Sequence, residues 1–174
     1  IAANEMTKFP IVIGHSGLDV TGDANRKDIK DTSVKVFLGD KGIENWLTSY
    51  PGLLANVPEF EKYSSGAGTV SVAEEPDGII RRVPLISDVA GTIRPTLGLD
   101  MIRVAFQGNS IAARTGLNGL EEIIIQTKTI GNAAIPTDEN GRVWIYYGES
   151  DSIKGQNSRY YVSAADIIKG RVGK

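Results

Sequence analysis

Two segments that each enter a strand through an acidic, glycine-containing turn place the strongest constraint on how this chain can fold. Asp77–Leu85 (DGIIRRVPL) and Ile135–Gly148 (IPTDENGRVWIYYG) each place an acidic residue and a glycine before a β-rich stretch. Asp, Asn and Gly favour turns for backbone reasons, and Asn140-Gly141 is a strong tight-turn signal. The chain is therefore expected to contain several short strands joined by tight turns.

Turn signals elsewhere divide the chain into further elements. Ala67–Val72 and Ile79–Ile86 flank the acidic turn Glu74–Gly78, so a hairpin is the expected arrangement. Leu18–Asp31 is polar and predicts a long loop. We predict strands at Phe9–Gly14, Val34–Leu38, Ala67–Val72, Ile79–Ile86, Glu122–Lys128 and Arg142–Tyr147, and helices at Pro58–Tyr63, Pro95–Gln107 and Ser163–Lys169.

The segment Gly42–Pro58 does not fit one element. Tyr50-Pro51-Gly52 interrupts any helix, because proline removes a backbone donor. Four apolar residues of this segment are expected to supply core: Trp46, Leu47, Leu53 and Leu54.

The clearest helix signal is Pro95–Gln107, where Pro95 suits the first turn and Gly108 is expected to end the helix. One side of it is apolar at helical spacing and predicts the buried face: Leu97, Met101, Val104 and Ala105. Asp100 and Arg103 fall on the opposite side, where we expect a surface pair worth about a few tenths of a kcal/mol.

Composition is typical of one globular domain, with 174 residues, 41% hydrophobic and 23% charged. Strands and helices interleave without strict alternation, which predicts an α/β or α+β class: a single domain over residues 1–174, with a mixed sheet flanked by helices. No apolar run approaches the roughly 20 residues that cross a bilayer. Since the chain begins at Ile1, we expect a piece of a longer protein, with any membrane anchor outside it.

Charge and cysteine content exclude several classes of partner and site. The net charge is −2, from 19 basic and 21 acidic residues, which argues against a nucleic-acid binder and against a polybasic membrane face. The chain has no cysteine, so disulfides, thiolate zinc sites and a cysteine nucleophile are excluded.

Catalytic and cofactor motifs are not completed. His15, the only histidine, is next to Ser16, but neighbouring positions rarely align a nucleophile with its base, and Leu18 follows Gly17 where a nucleophile elbow would end. A loop histidine just past a strand is the interpretation we favour, although a strand end can also face a ligand. Gly66-Ala67-Gly68 does not continue into a phosphate-binding glycine motif. We expect no enzyme activity and no cofactor.

The acidic turns could be mistaken for metal sites. Asp138-Glu139-Asn140-Gly141 has the oxygen-rich character of part of a calcium loop, but the chain continues directly into the strand after Arg142. A turn explains these residues better than a calcium site does, and no metal site is predicted.

Arg81 and Arg82 point to opposite faces if their strand alternates. One interpretation pairs an arginine with Asp77 or Asp138, which would hold a turn against the sheet. The other presents the guanidinium to a small anionic ligand. The sequence leaves both open, and the candidate ligand-binding residues are Arg81, Arg82, Asp77, Asp138 and His15.

Aromatic residues concentrate in the last third of the chain: Trp144, Tyr146, Tyr147, Tyr160 and Tyr161. Strand alternation places Trp144 and Tyr146 on one face and Val143, Ile145 and Tyr147 on the other. Core packing explains one set. The second set is either a covered side or an interaction surface, and we favour the covered side.

The order of these motifs resembles the second class of CHASE domains, the cyclase/histidine-kinase-associated sensory extracellular domains. The resemblance covers the C-terminal three-fifths well and the rest loosely, and it rests on five segments in order: Asp77–Leu85, Pro95–Asp100, Ile135–Asp138 with Gly141, Tyr147-Gly148 and Ser163–Gly170. Members usually open with a further strand-and-helix region, so we expect this domain to be truncated at its N-terminus.

The resemblance implies a non-catalytic input module of a bacterial inner-membrane receptor, located in the periplasm. It implies flanking transmembrane helices and a cytoplasmic adenylate or guanylate cyclase, histidine kinase or Ser/Thr kinase. The expected partners are an unknown small-molecule or protein signal and a second copy of the receptor. A domain that binds no small molecule and sets dimerisation or protein interaction is the alternative, and a small hydrolase using Ser16 and His15 is the third reading.

Overall fold

Short strands form most of the structure in the residues that the computed structural model describes, which are 8–32, 34, 36–39, 43–129, 131–147, 165 and 169–171. The strands are β1 Val12–Leu18, β2 Val36–Leu38, β3 Ser49–Tyr50, β4 Gly52–Leu54, β5 Gly66–Thr69, β6 Arg82–Pro84, β7 Ile86–Val89, β8 Thr92–Pro95, β9 Ser110–Gly116, β10 Gly119–Gln126, β11 Asn132–Pro136 and β12 Arg142–Trp144. The helices are α1 Pro58–Tyr63 and α2 Leu97–Ala105, and Ile43–Asn45 form one turn of 3-10 helix.

The described strands pair into four sheets, three of which contain both parallel and antiparallel pairs. Their orders are β4-β1-β5, β11-β10-β9-β2, β12-β6 and β3-β7-β8. The pairs β1–β5, β2–β9 and β3–β7 are parallel, and the other pairs are antiparallel. This confirms the α+β alternative of the predicted fold class, with a mixed sheet.

The core is organised by β10, which carries three consecutive isoleucines. Ile123 and Ile125 are fully buried and lie opposite Ala113 and Ile111 of β9, while Ile124 is buried on the other face. A strand buried on both faces has a continuous apolar run because both sides are covered. Leu120, near the start of β10, belongs to the same core. Further core residues come from elsewhere in the chain: Val34, Ile43, Leu47, Ile86 and Leu99.

Two of the four predicted core residues between Gly42 and Pro58 are exposed. Leu47 and Leu53 are buried as expected, but the exposed fractions are 38% for Trp46 and 54% for Leu54. The absence of a long helix here is confirmed, since Pro51 separates β3 from β4. Leu53 and Leu54 are consecutive in β4, so their side chains point to opposite faces, and only that of Leu53 reaches the core.

The predicted hairpin around the turn 74–78 is wrong. β5 pairs in parallel with β1, with Val12 opposite Gly66 and His15 opposite Thr69. All four residues of β5 are buried, because their small size lets both β1 and α2 lie against the strand. Beyond the turn, β6 pairs with β12 rather than with β5.

The predicted buried face of α2 is also wrong. Leu99 and Asp100 are buried, whereas Met101 is 52% exposed. Asp100 is fully buried and accepts hydrogen bonds from Arg103, from Nε at 2.5 Å and from Nη2 at 3.1 Å. The helix also starts later and ends earlier than the signals indicated, since Pro95 closes β8 and Gln107, with φ +52°, follows the last helical turn.

Several elements begin or end at residues other than those predicted. β1 runs on to Leu18 because β4 and β5 both pair with it, so His15 and Ser16 are strand residues and not loop residues. β10 begins at Gly119, and β12 ends at Trp144 before the predicted end. Helix α1 is confirmed over Pro58–Tyr63, with proline at its start.

The chain divides into a larger unit up to Trp144 and a short unit from Ile145 onwards. In the second unit the Lys169 N–H donates to the Ala165 carbonyl at 3.0 Å, and Gly170 has φ +63°. The rest of the predicted helix Ser163–Lys169 lies outside the described residues, as do Tyr160 and Tyr161. In the described parts, no helix has the length and apolar character to cross a membrane. The assignment of residues 1–174 to one domain stays a prediction.

Candidate functional site

Six charged side chains meet where the turn 74–78, β6 and β12 come together. We call this group the arginine–carboxylate cluster: Glu75, Asp77, Arg81, Arg82, Asp138 and Arg142. Three arginines face three carboxylates, so the charges within the cluster balance. Sequence reasoning had singled out four of the six and had missed Glu75 and Arg142.

The outer part of the cluster is the turn at Asp77. Gly78 takes φ +76°, which glycine adopts readily, and the Ile79 N–H donates to Asp77 Oδ1 at 3.1 Å. Arg81 donates to both oxygens of Asp77, at 2.7 and 3.0 Å. A two-bond guanidinium–carboxylate contact fixes orientation as well as charge. These bonds, first the one from Arg81 and then the one from Ile79, lower the pKa of the Asp77 carboxyl from its ordinary value.

Glu75 joins the two neighbouring arginines. Its Oε2 accepts from Arg81 at 3.0 Å and its Oε1 accepts from Arg82 at 3.1 Å. The bond from Arg82, followed by that from Arg81, lowers the pKa of the Glu75 carboxyl. Although the two arginines are adjacent in the chain, one carboxylate therefore holds both.

Asp138 organises the second turn. Its Oδ1 accepts from the N–H groups of Asn140 and Arg142, at 3.0 and 2.9 Å, and its Oδ2 accepts from Arg142 Nε at 2.9 Å. Arg82 Nη1 lies 3.4 Å from the same Oδ2. Gly141 closes the turn with φ +72°. Asp138 thus ties this turn to β6, as the pairing interpretation required.

A cavity of about 170 Å³ opens beside the cluster. Its charged lining residues are Glu74, Glu75, Arg82 and Arg142, and Thr48 and Pro84 line it as well. The Trp144 ring lies over the Arg82 guanidinium, with 5.4 Å between the Arg82 Cζ and the ring centroid. Trp144 is 72% exposed, so the expectation that it lies on a covered side is wrong.

His15 is placed apart from these contacts, against helix α1. It is 1% exposed, and its Nε2 lies 2.8 Å from Oε1 of the equally buried Glu61. The two oxygens of Glu61 also accept from the N–H groups of Asn56 and Lys30, at 2.9 and 2.7 Å. His15 can meet a ligand only if the contact between β1 and α1 opens. The sequence did not predict the buried contacts of Glu61, since nothing in the sequence of α1 distinguishes this glutamate from Glu59.

The chemistry of the described residues is that of paired charges and hydrogen bonds. Ser16 Oγ lies 3.2 Å from Ser71 Oγ, and the His15 imidazole is bonded to Glu61. In the described part of the chain, no three His, Asp or Glu side chains are grouped so that they could hold a metal ion.

The fold and these contacts define a mostly-sheet α+β domain with a charged cluster that is closed by its own ion pairs. The chain matches the family model of the CHASE2 domain over residues 10–173, and it belongs to that family of extracellular, non-catalytic sensory domains. This confirms the resemblance seen in the sequence. Searches of curated proteins and of solved structures found no match.

Proposed function

We propose that this domain is the signal-sensing input module of a bacterial transmembrane receptor, placed on the periplasmic side of the inner membrane. It would control a cytoplasmic adenylate or guanylate cyclase, or a histidine or Ser/Thr kinase. The observation that carries the proposal is membership of the CHASE2 family over residues 10–173. A ligand shifts such a receptor only if it binds one of two states more tightly.

The proposed ligand site is the cavity beside Arg82 and Arg142. An anionic group entering it would compete with Glu75 and Asp138 for the Arg82 guanidinium. Exchange of one carboxylate partner for another would loosen the contact between the turn 74–78 and β6. Such a change of partners is a two-state event that a receptor can transmit. No cofactor, nucleic acid or metal is needed for it.

The gene that encodes the chain tests the receptor assignment directly. We expect sequencing outward from both ends to find transmembrane helices on both sides of this segment and a cyclase or kinase domain beyond them. A reading frame that stops near Lys174 behind a secretion signal would refute the assignment and favour a free-standing binding protein.

The Arg82→Ala variant of the full receptor tests the site. We expect a changed cyclase or kinase response, because the cavity loses the guanidinium for which an anionic ligand would compete. The isolated domain should keep its fold and lose about 1 kcal/mol of its free energy of unfolding, since the ion pairs of Arg82 are partly exposed. Arg26→Ala, which removes a similarly exposed arginine paired with Asp28 on the loop 19–31, is the control. A variant that does not fold would assign Arg82 a purely structural role.

One observation favours a second candidate, a dimerisation or protein-interaction domain that binds no small molecule. Each arginine of the cluster already has a carboxylate partner within the chain, so the cluster satisfies its own charge. Dimerisation that depends on concentration, with no rise in melting temperature across a panel of small anions, would support this candidate.

A further inference from the structure

A second cavity, of about 400 Å³, lies on the other side of β6 from the arginine–carboxylate cluster. We call it the apolar groove. Its walls come from the end of β5 and the residues after it, from β6, from the first turns of α2, and from Ile135 of β11. All these elements belong to the larger unit of the chain. Its volume falls within the roughly 300–1,000 Å³ typical of small-molecule sites.

Strand alternation explains why two unlike cavities share β6. Successive side chains of a strand point to opposite faces. Arg82 and Pro84 line the charged cavity, and Val83 and Leu85 line the apolar groove. The strand and the residue after it thus form a wall common to both.

The lining of the groove limits what can bind there. None of its lining side chains, all of them described, is charged, and most are aliphatic, including Val70, Val72, Leu97 and Ile102. A charged ligand would lose its hydration without gaining a partner, which is costly. An uncharged apolar molecule has no comparable hydration to lose, and its binding removes apolar surface from water.

Three of the aliphatic side chains of the groove are open to solvent, whereas that of Leu99 is buried. The exposed fractions are 53% for Val70, 39% for Val72 and 42% for Ile102. Of the three hydroxyls on lining residues, those of Thr69 and Ser71 are bonded to other parts of the chain, whereas the Thr96 hydroxyl, at the N-cap of α2, makes no capping bond to the helix. It can donate to, or accept from, a single polar atom of the bound molecule.

The groove is shaped before any ligand arrives. A Cβ at Gly68 would lie 2.5 Å from Leu97 N and from Thr96 O, so the glycine lets β5 lie directly against the start of α2. An isolated parallel β-bridge between Thr69 and Thr96 extends this contact between β5 and the start of α2. A preformed cavity does not have to order its own walls when it binds.

We propose that the apolar groove binds an uncharged, mainly aliphatic or aromatic small molecule with at most one hydrogen-bonding atom. Its use as a signal rests on the proposed receptor function, but the binding itself does not. Because β6 forms a wall of both cavities, a molecule bound in the groove would change the position of Arg82 on that strand.

The test is titration of the purified chain with the uncharged fluorescent amine N-phenyl-1-naphthylamine. We expect saturable binding of one molecule per chain. Ile102→Glu should weaken it about tenfold or more, because it places a charge in the groove. Met101→Glu is the matched control, since it adds the same charge to the adjacent, similarly exposed position outside the lining, and it should leave binding unchanged. Both variants should melt within a few degrees of the unaltered chain.

A second variant fills the groove without adding charge. Gly98 lines it, and an added Cβ there meets no atom within 4 Å, so Gly98→Phe should also weaken binding about tenfold or more, while Met101→Phe should not. Equal loss in the paired variants, no saturation, or an effect of Ile102→Glu on self-association instead of on probe binding would each overturn the inference. Any of these results would leave the receptor assignment intact, because that assignment depends on the gene.

Discussion

At the scale of the residue, Glu61 holds together parts of the chain that are far apart in sequence. Its carboxylate accepts from His15 of β1, from the N–H of Asn56 before α1 and from the N–H of Lys30 in the long loop. A buried carboxylate with three donors is well satisfied, and its removal would leave the buried His15 imidazole without its partner.

Glu61→Ala should therefore destabilise the domain by about 3 kcal/mol or more, since it leaves the buried His15 and two partly buried N–H groups without their acceptor. Glu59→Ala, on the exposed side of the same helix, should change the free energy of unfolding by less than about 0.5 kcal/mol. Urea unfolding of both variants measures the difference. Equal midpoints would show that the buried contact contributes no net stability.

The residues that sequence reasoning identified and those that it missed differ in how local their contacts are. The turn at Asp77 and the turn before Gly141 depend on neighbours, and both were foreseen. The sequence indicated that an arginine of the pair 81–82 pairs with Asp77 or Asp138, but it could not choose between such a pairing and a ligand. The sequence predicts His15 as a loop residue, because its pairing with β5 depends on distant parts of the chain.

At the scale of the element, the approach of β5 to α2 depends on glycine. Gly68→Ala should cost about 1–3 kcal/mol, because the new methyl would meet the backbone of Thr96 and Leu97 at 2.5 Å and the two elements would have to separate. Thermal melting followed by circular dichroism would report the loss.

Gly98→Ala is the control for that change, since it makes the same substitution inside α2, where an added Cβ meets open space. It should stabilise the domain by up to about 1 kcal/mol, because alanine has less backbone entropy to lose than glycine. A Gly68→Ala variant as stable as Gly98→Ala would mean that β5 and α2 can separate freely.

Element types were easier to predict from sequence than which faces are buried. Helix α2 was recognised from its apolar spacing, yet its buried side includes Asp100, because the bare backbone at Gly66 leaves room for the ion pair with Arg103. A Cβ at Gly66 would come within 2.0 Å of the Asp100 Oδ2 atom. A helical pattern ranks residues by polarity, and it does not show that a neighbouring strand has space for a charged pair.

At the scale of the whole molecule, the arginine–carboxylate cluster makes stability depend on pH. Glu75 has a lowered pKa in the folded state, so the unfolded chain takes up its proton first as the pH falls. Its contribution is complete above the ordinary glutamate pKa of 4.5 and disappears as the pH falls through the lowered folded-state value. Glu75→Gln should be less stable than the unaltered chain near neutral pH, and the difference should vanish in acid.

Chemical unfolding at a series of pH values between 7 and about 2 measures this convergence. Glu74→Gln is the control, because Glu74 is exposed and bonds to no arginine among the described residues. A gap between Glu75→Gln and the unaltered chain that stays constant across the series would mean that Glu75 titrates alike in both states.

The fold class and the family could be predicted from the sequence, because turns, strands and their order depend on residues that are close together in the chain. The partition into four sheets could not, since β6 had equally plausible partners before and after it, and only the folded chain places β12 against it. The apolar groove also escaped notice, because its walls come from separate elements and none of them is unusual alone.

The three parallel strand pairs have a consequence for the order in which the chain acquires its structure. Each joins strands distant in sequence, most widely where Val36 lies opposite Ala112, and such pairs form only after a long intervening segment has been brought into place. The antiparallel hairpin of β9 and β10 needs only the tight turn between Gly116 and Gly119. We therefore expect this hairpin to form early in refolding and β2 to add to its edge late.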